Sequence, residues 1–187
     1  IAILKGPYAL RYGPSFGGVL NLVTEKARPF EEFSVQLRAV KGGETNWNGD
    51  KEHITVLGGN RNIYFAITGN HHKYGNYSAG NGREIKSSFR KYNYAFELGF
   101  SPWQHHELRL NFKESFGRDI RFPALPMDER EDNTRLMSAN YRYLNPEKKI
   151  RSIHAKIYRS AVNHEMDNKW RPFSDTVVAI STIDALN

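Results

Sequence analysis

Residues 92–100 read YNYAFELGF. Tyr92, Tyr94, Phe96, Leu98 and Phe100 alternate with Asn93, Ala95, Glu97 and Gly99. Successive side chains of a strand point to opposite faces, so a period of two collects every large apolar residue on one face and leaves the other polar. The neighbouring runs read alike. Ile63, Phe65 and Ile67 alternate with Tyr64, Ala66 and Thr68, and Leu108, Leu110 and Phe112 alternate with Arg109, Asn111 and Lys113. Ile153, Ala155 and Ile157 do the same around His154 and Lys156. With further runs over 33–40, 53–59 and 135–143, the pattern predicts about seven strands.

The connections order these strands. Segments 60–62 (NRN), 101–105 (SPWQH) and 145–148 (NPEK) are short and turn-like. Segments 41–51, 73–87 and 117–133 are longer and polar. Short and long alternate down the chain, so all the short turns fall at one end of an antiparallel up-and-down meander and all the long loops at the other. A soluble sandwich has no reason to sort its connections this way and normally uses Greek-key crossovers. An outer-membrane barrel does sort them, with an apolar outer face and a polar lumen. The expected fold is therefore all-β: part of a transmembrane antiparallel up-and-down β-barrel, with Arg38, Glu97, Arg109 and Lys113 facing the lumen. Tyr74, Tyr77, Trp103 and Tyr143, near strand ends, are expected in interfacial girdles.

Composition agrees. The 187 residues include no Cys, which excludes a disulfide framework, a thiolate metal site and a Cys nucleophile. Aromatic residues make up 13% of the chain, which favours strands. No run approaches the roughly 18–20 apolar residues of a spanning helix, but a barrel needs none, because only alternate residues meet lipid. The mean hydropathy of −0.65 then reflects polar lumen and loop positions rather than solubility. The net charge of +7 is spread over turns and alternate strand positions. That distribution suits lipopolysaccharide phosphates or an anionic ligand better than nucleic acid, which calls for clustered Lys and Arg among exposed aromatics. The chain opens on Ile1 with no signal-peptide pattern and is expected to be a fragment.

Residues 1–26, IAILKGPYALRYGPSFGGVLNLVTEK, are Gly-rich and have no clean period before Val19. Gly-Pro suits a tight turn, and Gly13, Gly17 and Gly18 suit positive φ or close approach to another wall. Gly13 and Gly18 have the offset of a phosphate-binding loop, but Val19-Leu20 stands where that loop needs Lys and Ser/Thr, so that reading is rejected. The segment resembles the end of the plug domain of TonB-dependent outer-membrane receptors. Lys5, Gly6, Pro7, Leu10, Tyr12, Gly13, Gly17, Gly18, Val19, Asn21 and Thr24 match that pattern in order and spacing. Ala2, Arg11 and Glu25 depart from it. The resemblance implies that residues 1–28 end a plug and that 29–187 begin the barrel, roughly 22-stranded in such receptors. It also implies energy-coupled import of a scarce nutrient across the bacterial outer membrane, with the TonB complex engaged through parts outside this chain. The cargo it implies is a ferric siderophore or another metal complex. Such a transporter breaks no bond in its cargo, so neither catalytic residues nor a cofactor is expected.

Other chemistry-bearing residues are sparse. His71-His72 and His105-His106 put neighbouring rings on opposite faces of a strand, so neither pair chelates one metal readily. The charged run 128–132 is expected to be a solvated loop, since it lacks the ligand spacing and turn Gly of a Ca²⁺ loop. The most suggestive stretch is 163–168, NHEMDN, expected to start an outward loop. It resembles a His-x-Met-Asp-Asn run of some TonB-dependent receptors, and His with Met suits copper. His164, Met166 and Asp167 are therefore the candidate ligand-binding residues. The competing reading of the whole chain is a soluble, aromatic-rich β-sheet binding module, for example for carbohydrate. It requires protein to cover the face of Tyr92, Tyr94, Phe96, Leu98 and Phe100. A non-transporting barrel such as an adhesin is a third possibility, disfavoured by the amino-terminal motif.

Overall fold

The structure is a computed structural model and describes residues 2–6, 18–21, 26–172 and 175–186. Two short strands, β1 (Ala2–Leu4) and β2 (Val19–Asn21), pair with each other in an antiparallel sheet of their own. Eight strands form the main sheet: β3 (Ser34–Glu44), β4 (Gly49–Gly59), β5 (Ile63–Tyr74), β8 (Phe89–Phe100), β9 (His106–Ile120), β10 (Asp128–Leu144), β11 (Ser152–Asp167) and β12 (Val178–Leu186). A small hairpin of β6 (Tyr77–Ser78) and β7 (Glu84–Ile85) sits in the connection from β5 to β8. Every pairing in the main sheet is antiparallel and joins strands that follow one another in the chain, apart from this inserted hairpin. The fold is an all-β up-and-down meander, open at β3 and β12.

Eight strands stand where about seven are expected. The additional one, β12, reads VAISTIDAL, which mixes apolar and polar residues on both faces and so shows no period. The strands also run further than the alternation does. β3 and β4 reach into the expected loop 41–51 and leave a four-residue turn at 45–48, while β10 absorbs 128–133 and β11 absorbs 163–167. Residues 128–132 are thus strand, not a solvated loop, and 163–167 do not begin one. The short turns at 60–62, 101–105 and 145–151 do fall together at one end. Two of them are built by Asn side chains: Asn60 Oδ1 accepts from the backbone N–H of Asn62 and Ile63, both at 2.9 Å, and Asn145 Oδ1 from that of Glu147 at 3.1 Å.

Register sorts the faces. Leu37, Val56, Ile67, Phe96, Phe112 and Met137 form one row across six adjacent strands on the apolar face. This face is not covered by other described parts of the chain: Tyr94 is 52% and Phe96 41% exposed. Among the described residues, nothing supplies the cover that the soluble-module reading requires. Charge on the apolar face begins at Lys41 on β3 and Glu52 on β4, but two rows earlier, level with Phe96, at Arg159 on β11. Such a diagonal boundary is what strands tilted against a flat apolar slab would give. The buried apolar cluster, Ala27, Leu57, Tyr64 and Ala66 with Phe30 against it, is small and lies on the opposite, polar face near the short turns. A sheet that spends its large side chains outward has few left for a core.

Of the four aromatic residues expected in girdles, Trp103 and Tyr143 lie together at the short-turn end. Trp103 is 71% exposed and stacks edge-on to His106, whose ring also meets Tyr143. Tyr74 and Tyr77 instead pack on Trp47 beneath the β6–β7 hairpin, with Tyr74 also stacked on Phe89. They are a loop base, not a girdle.

Candidate functional site

The polar face carries two groups of charge. Near the short turns Arg109, on β9, is the hub of the first. Its Nη1 donates to Glu97 Oε1 at 2.7 Å and to the Ala27 carbonyl at 3.0 Å, and its Nη2 donates to Glu107 Oε1 at 2.8 Å. Arg142 Nη2 lies 2.8 Å from the other oxygen of Glu107, and the Tyr64 hydroxyl donates to Glu107 from β5. Of these, Glu97, Glu107, Arg109 and Arg142 line part of a concavity of about 1160 Å³ that also takes in Lys113 and Lys156. Glu97, Arg109 and Lys113 thus share the face opposite Tyr92 and its row, as alternation requires. The network ties the segment around Ala27, 1% exposed, to the sheet.

The second group lies toward the long connections. His164 on β11 is directly opposite Asp132 on β10, and its Nδ1 is 2.8 Å from Glu129 Oε1. Glu129 is 5% exposed, and burial pushes its carboxyl above the usual carboxylate range. Donor atoms of Glu129, Asp132 and His164 all lie within 4.8 Å of one another. Lys91 Nζ reaches to 3.7 Å from Asp132 Oδ2. Met166 is half-buried and paired in register with Glu129. Asp167 has a different task. Buried at 1% exposure, it accepts from the Lys169 backbone N–H at 3.1 Å and pairs with Arg130 Nη1 at 3.4 Å, which anchors the start of the 168–177 connection. Asp128 similarly accepts from the Phe122 N–H at 2.9 Å and pairs with Arg171, stapling two long connections together.

The structure therefore brings His164 together with two carboxylates that sequence reading left in a loop. The signal was present but faint: Asp132 lies at the polar-face parity of Thr134 and Leu136, five positions before the apolar alternation resumes at Met137. A second His-carboxylate group, Asp50, Glu52 and His71, sits on the apolar face above the apolar band. Lys41 Nζ already occupies it, 2.7 Å from Glu52 and 3.6 Å from Asp50. His71 and His72 indeed diverge to opposite faces.

Of the amino-terminal motif, Lys5, Gly6, Gly18, Val19 and Asn21 are described. Gly6 and Gly18 have φ of 66° and 140°, and a Cβ on Gly18 would stand 2.6 Å from the Leu4 carbonyl oxygen. Gly18 is thus required for the close approach of β2 to β1, whereas Lys5 follows β1 and is exposed. Pro7, Tyr12, Gly13 and Gly17 lie outside the described residues.

Among solved structures, the chain is similar to the copper transporter OprC, with a TM-score of 0.81 and 24% sequence identity over 89% of this chain. The likeness is one of fold. The chain spans about a quarter of that protein's length, 25% of it. No family description matches the chain, and no curated protein matches it. The shared fold agrees with the meander read from alternation and turn lengths.

Proposed function

We propose that these residues are part of the wall of a TonB-dependent outer-membrane receptor, with residues 1–28 ending its plug, and that the receptor imports a metal ion or metal complex. The observation that carries this reading is the uncovered apolar face of an up-and-down sheet whose other face holds the charges. In lipid such a sheet is stable only as part of a closed barrel, since an open edge leaves backbone groups unsatisfied. The 26-residue motif supports the plug, and the Arg109 hub gives a physical means of docking it through the Ala27 carbonyl. Energy would come from the TonB complex through parts outside this chain. The net positive charge of the chain suits lipopolysaccharide phosphates at the rim.

For cargo, the resemblance favours a ferric siderophore. The polar-face placement of His164 and Met166, together with the likeness to a copper transporter, favours copper. Recognition by binding and release requires no catalytic group. The test is a deletion strain carrying the full-length gene or an empty vector, grown with iron or copper as the limiting nutrient, with and without TonB. Restoration of growth on one metal, lost without TonB, is the expected result. Restoration on neither metal, or unchanged without TonB, overturns the reading.

A further inference from the structure

We propose that Glu129, Asp132 and His164 form a binding site for a divalent first-row transition cation of the Zn²⁺ type, distinct in its donors from a His-Met copper site. The backbone is the first reason. Residues 129 and 132 are three apart, so in a regular strand their side chains would point to opposite faces. A bulge between Glu129 and Glu131 shifts the register by one, and the carboxylate of Glu129 comes to the same side as Asp132 and His164. Bulges re-aim side chains in this way next to functional sites.

The second reason is an unsatisfied atom. Glu129 Oε1 is buried, on a side chain 6% exposed, and receives no hydrogen bond. Its 2.8 Å separation from His164 Nδ1 has the length of a hydrogen bond but not the alignment. A buried carboxylate oxygen left without a hydrogen bond is costly. A cation between Glu129 and His164 satisfies both. Zn²⁺ binds imidazole nitrogen and carboxylate oxygen at about 2.0–2.2 Å, so donors gathered within 4.8 Å of one another can close on it with small side-chain movements. Two carboxylates and one imidazole leave a coordination position for water and offer no sulfur, which disfavours Cu(I). A cation already near, Lys91 at 3.7 Å from Asp132, has a side chain 38% exposed and can swing aside.

The proposal concerns binding and stands whether or not the barrel imports its cargo. The full-length protein containing this chain, purified in detergent and stripped with a chelator, is titrated with Zn²⁺ against a chromophoric chelator. A saturable site is expected. Glu129→Gln and His164→Ala should each weaken it at least about tenfold, the loss seen even when only a ligand's outer-shell partner is removed. Glu131→Gln, adjacent to Asp132 but on the opposite face, should bind as the unaltered protein. Heat-modifiable migration on gels checks that each barrel is folded, and His164→Ala, on a half-exposed side chain, carries the test if Glu129→Gln does not fold. Absence of saturable binding overturns the proposal. So does binding by folded Glu129→Gln and His164→Ala equal to that of the unaltered protein, or loss of binding through Glu131→Gln alone.

Discussion

The ring of Tyr64 covers Gly99, its directly opposed neighbour in the sheet: a Cβ on Gly99 would stand 2.0 Å from the ring. That bare backbone lets the Tyr64 hydroxyl cross β8 and donate to Glu107 on β9. An aromatic ring over a strand glycine restores the packing the glycine lacks.

Gly99→Val should therefore displace Tyr64 and break its bond to Glu107. Overpacking of this kind costs about 1–3 kcal/mol. Denaturant unfolding of the full-length protein in detergent should show that loss. Tyr64→Ala combined with Gly99→Val should lose less than the sum of the two single changes, and strict additivity would disprove the coupling.

Arg109→Ala leaves Glu97 and Glu107 short of their shared partner and frees the Ala27 carbonyl. A guanidinium 23% exposed keeps some water, so a loss of about 2–4 kcal/mol is expected. Limited proteolysis should cut near Ala27 faster than in the unaltered protein. Arg109→Lys should recover only part of the protection, because an ammonium lacks the planar fork that holds three acceptors.

Phe96 and Ala95 are adjacent and face opposite ways. Phe96→Arg places a cation on the apolar face in the middle of the band, at a cost of about 2–4 kcal/mol in lipid. Ala95→Glu, opposite Lys113 on the polar face, should be tolerated. Outer-membrane yields of the two variants measure the difference, and equal yields would contradict membrane burial of the apolar face.

Asp184 on β12 pairs with Arg159 on β11, beyond the apolar band, and the guanidinium holds its carboxyl below the usual aspartate range. A depressed carboxyl contributes stability that is present above its ordinary pKa and lost as pH falls through the lowered folded value. Protection factors of amides 178–186, the observed exchange rates set against the intrinsic rates at each pH, should fall over that acid range. The effect is small, because both groups are solvent-exposed. In Asp184→Asn the protection factors of the same amides should not change over that pH range.

Much of the fold was legible because Tyr92, Tyr94, Phe96, Leu98 and Phe100 must share a face in any strand, and because turn residues such as Asn60 and Asn145 build the short connections locally. Alternation disappears where both faces are polar, although the backbone ladder continues. Glu131 and Asp132 are both charged and point opposite ways, so their strand looked like a loop. The site depended on a still less local fact. His164 is far in sequence from Glu129 and Asp132, and the bulge that turns Glu129 toward them is set by pairing between β10 and β11. The sequence by itself determined that this chain is a sheet with one apolar face, since side-chain period follows from strand geometry alone. Only tertiary structure decided which polar residues meet, because register between strands brings together groups that no spacing along the chain records.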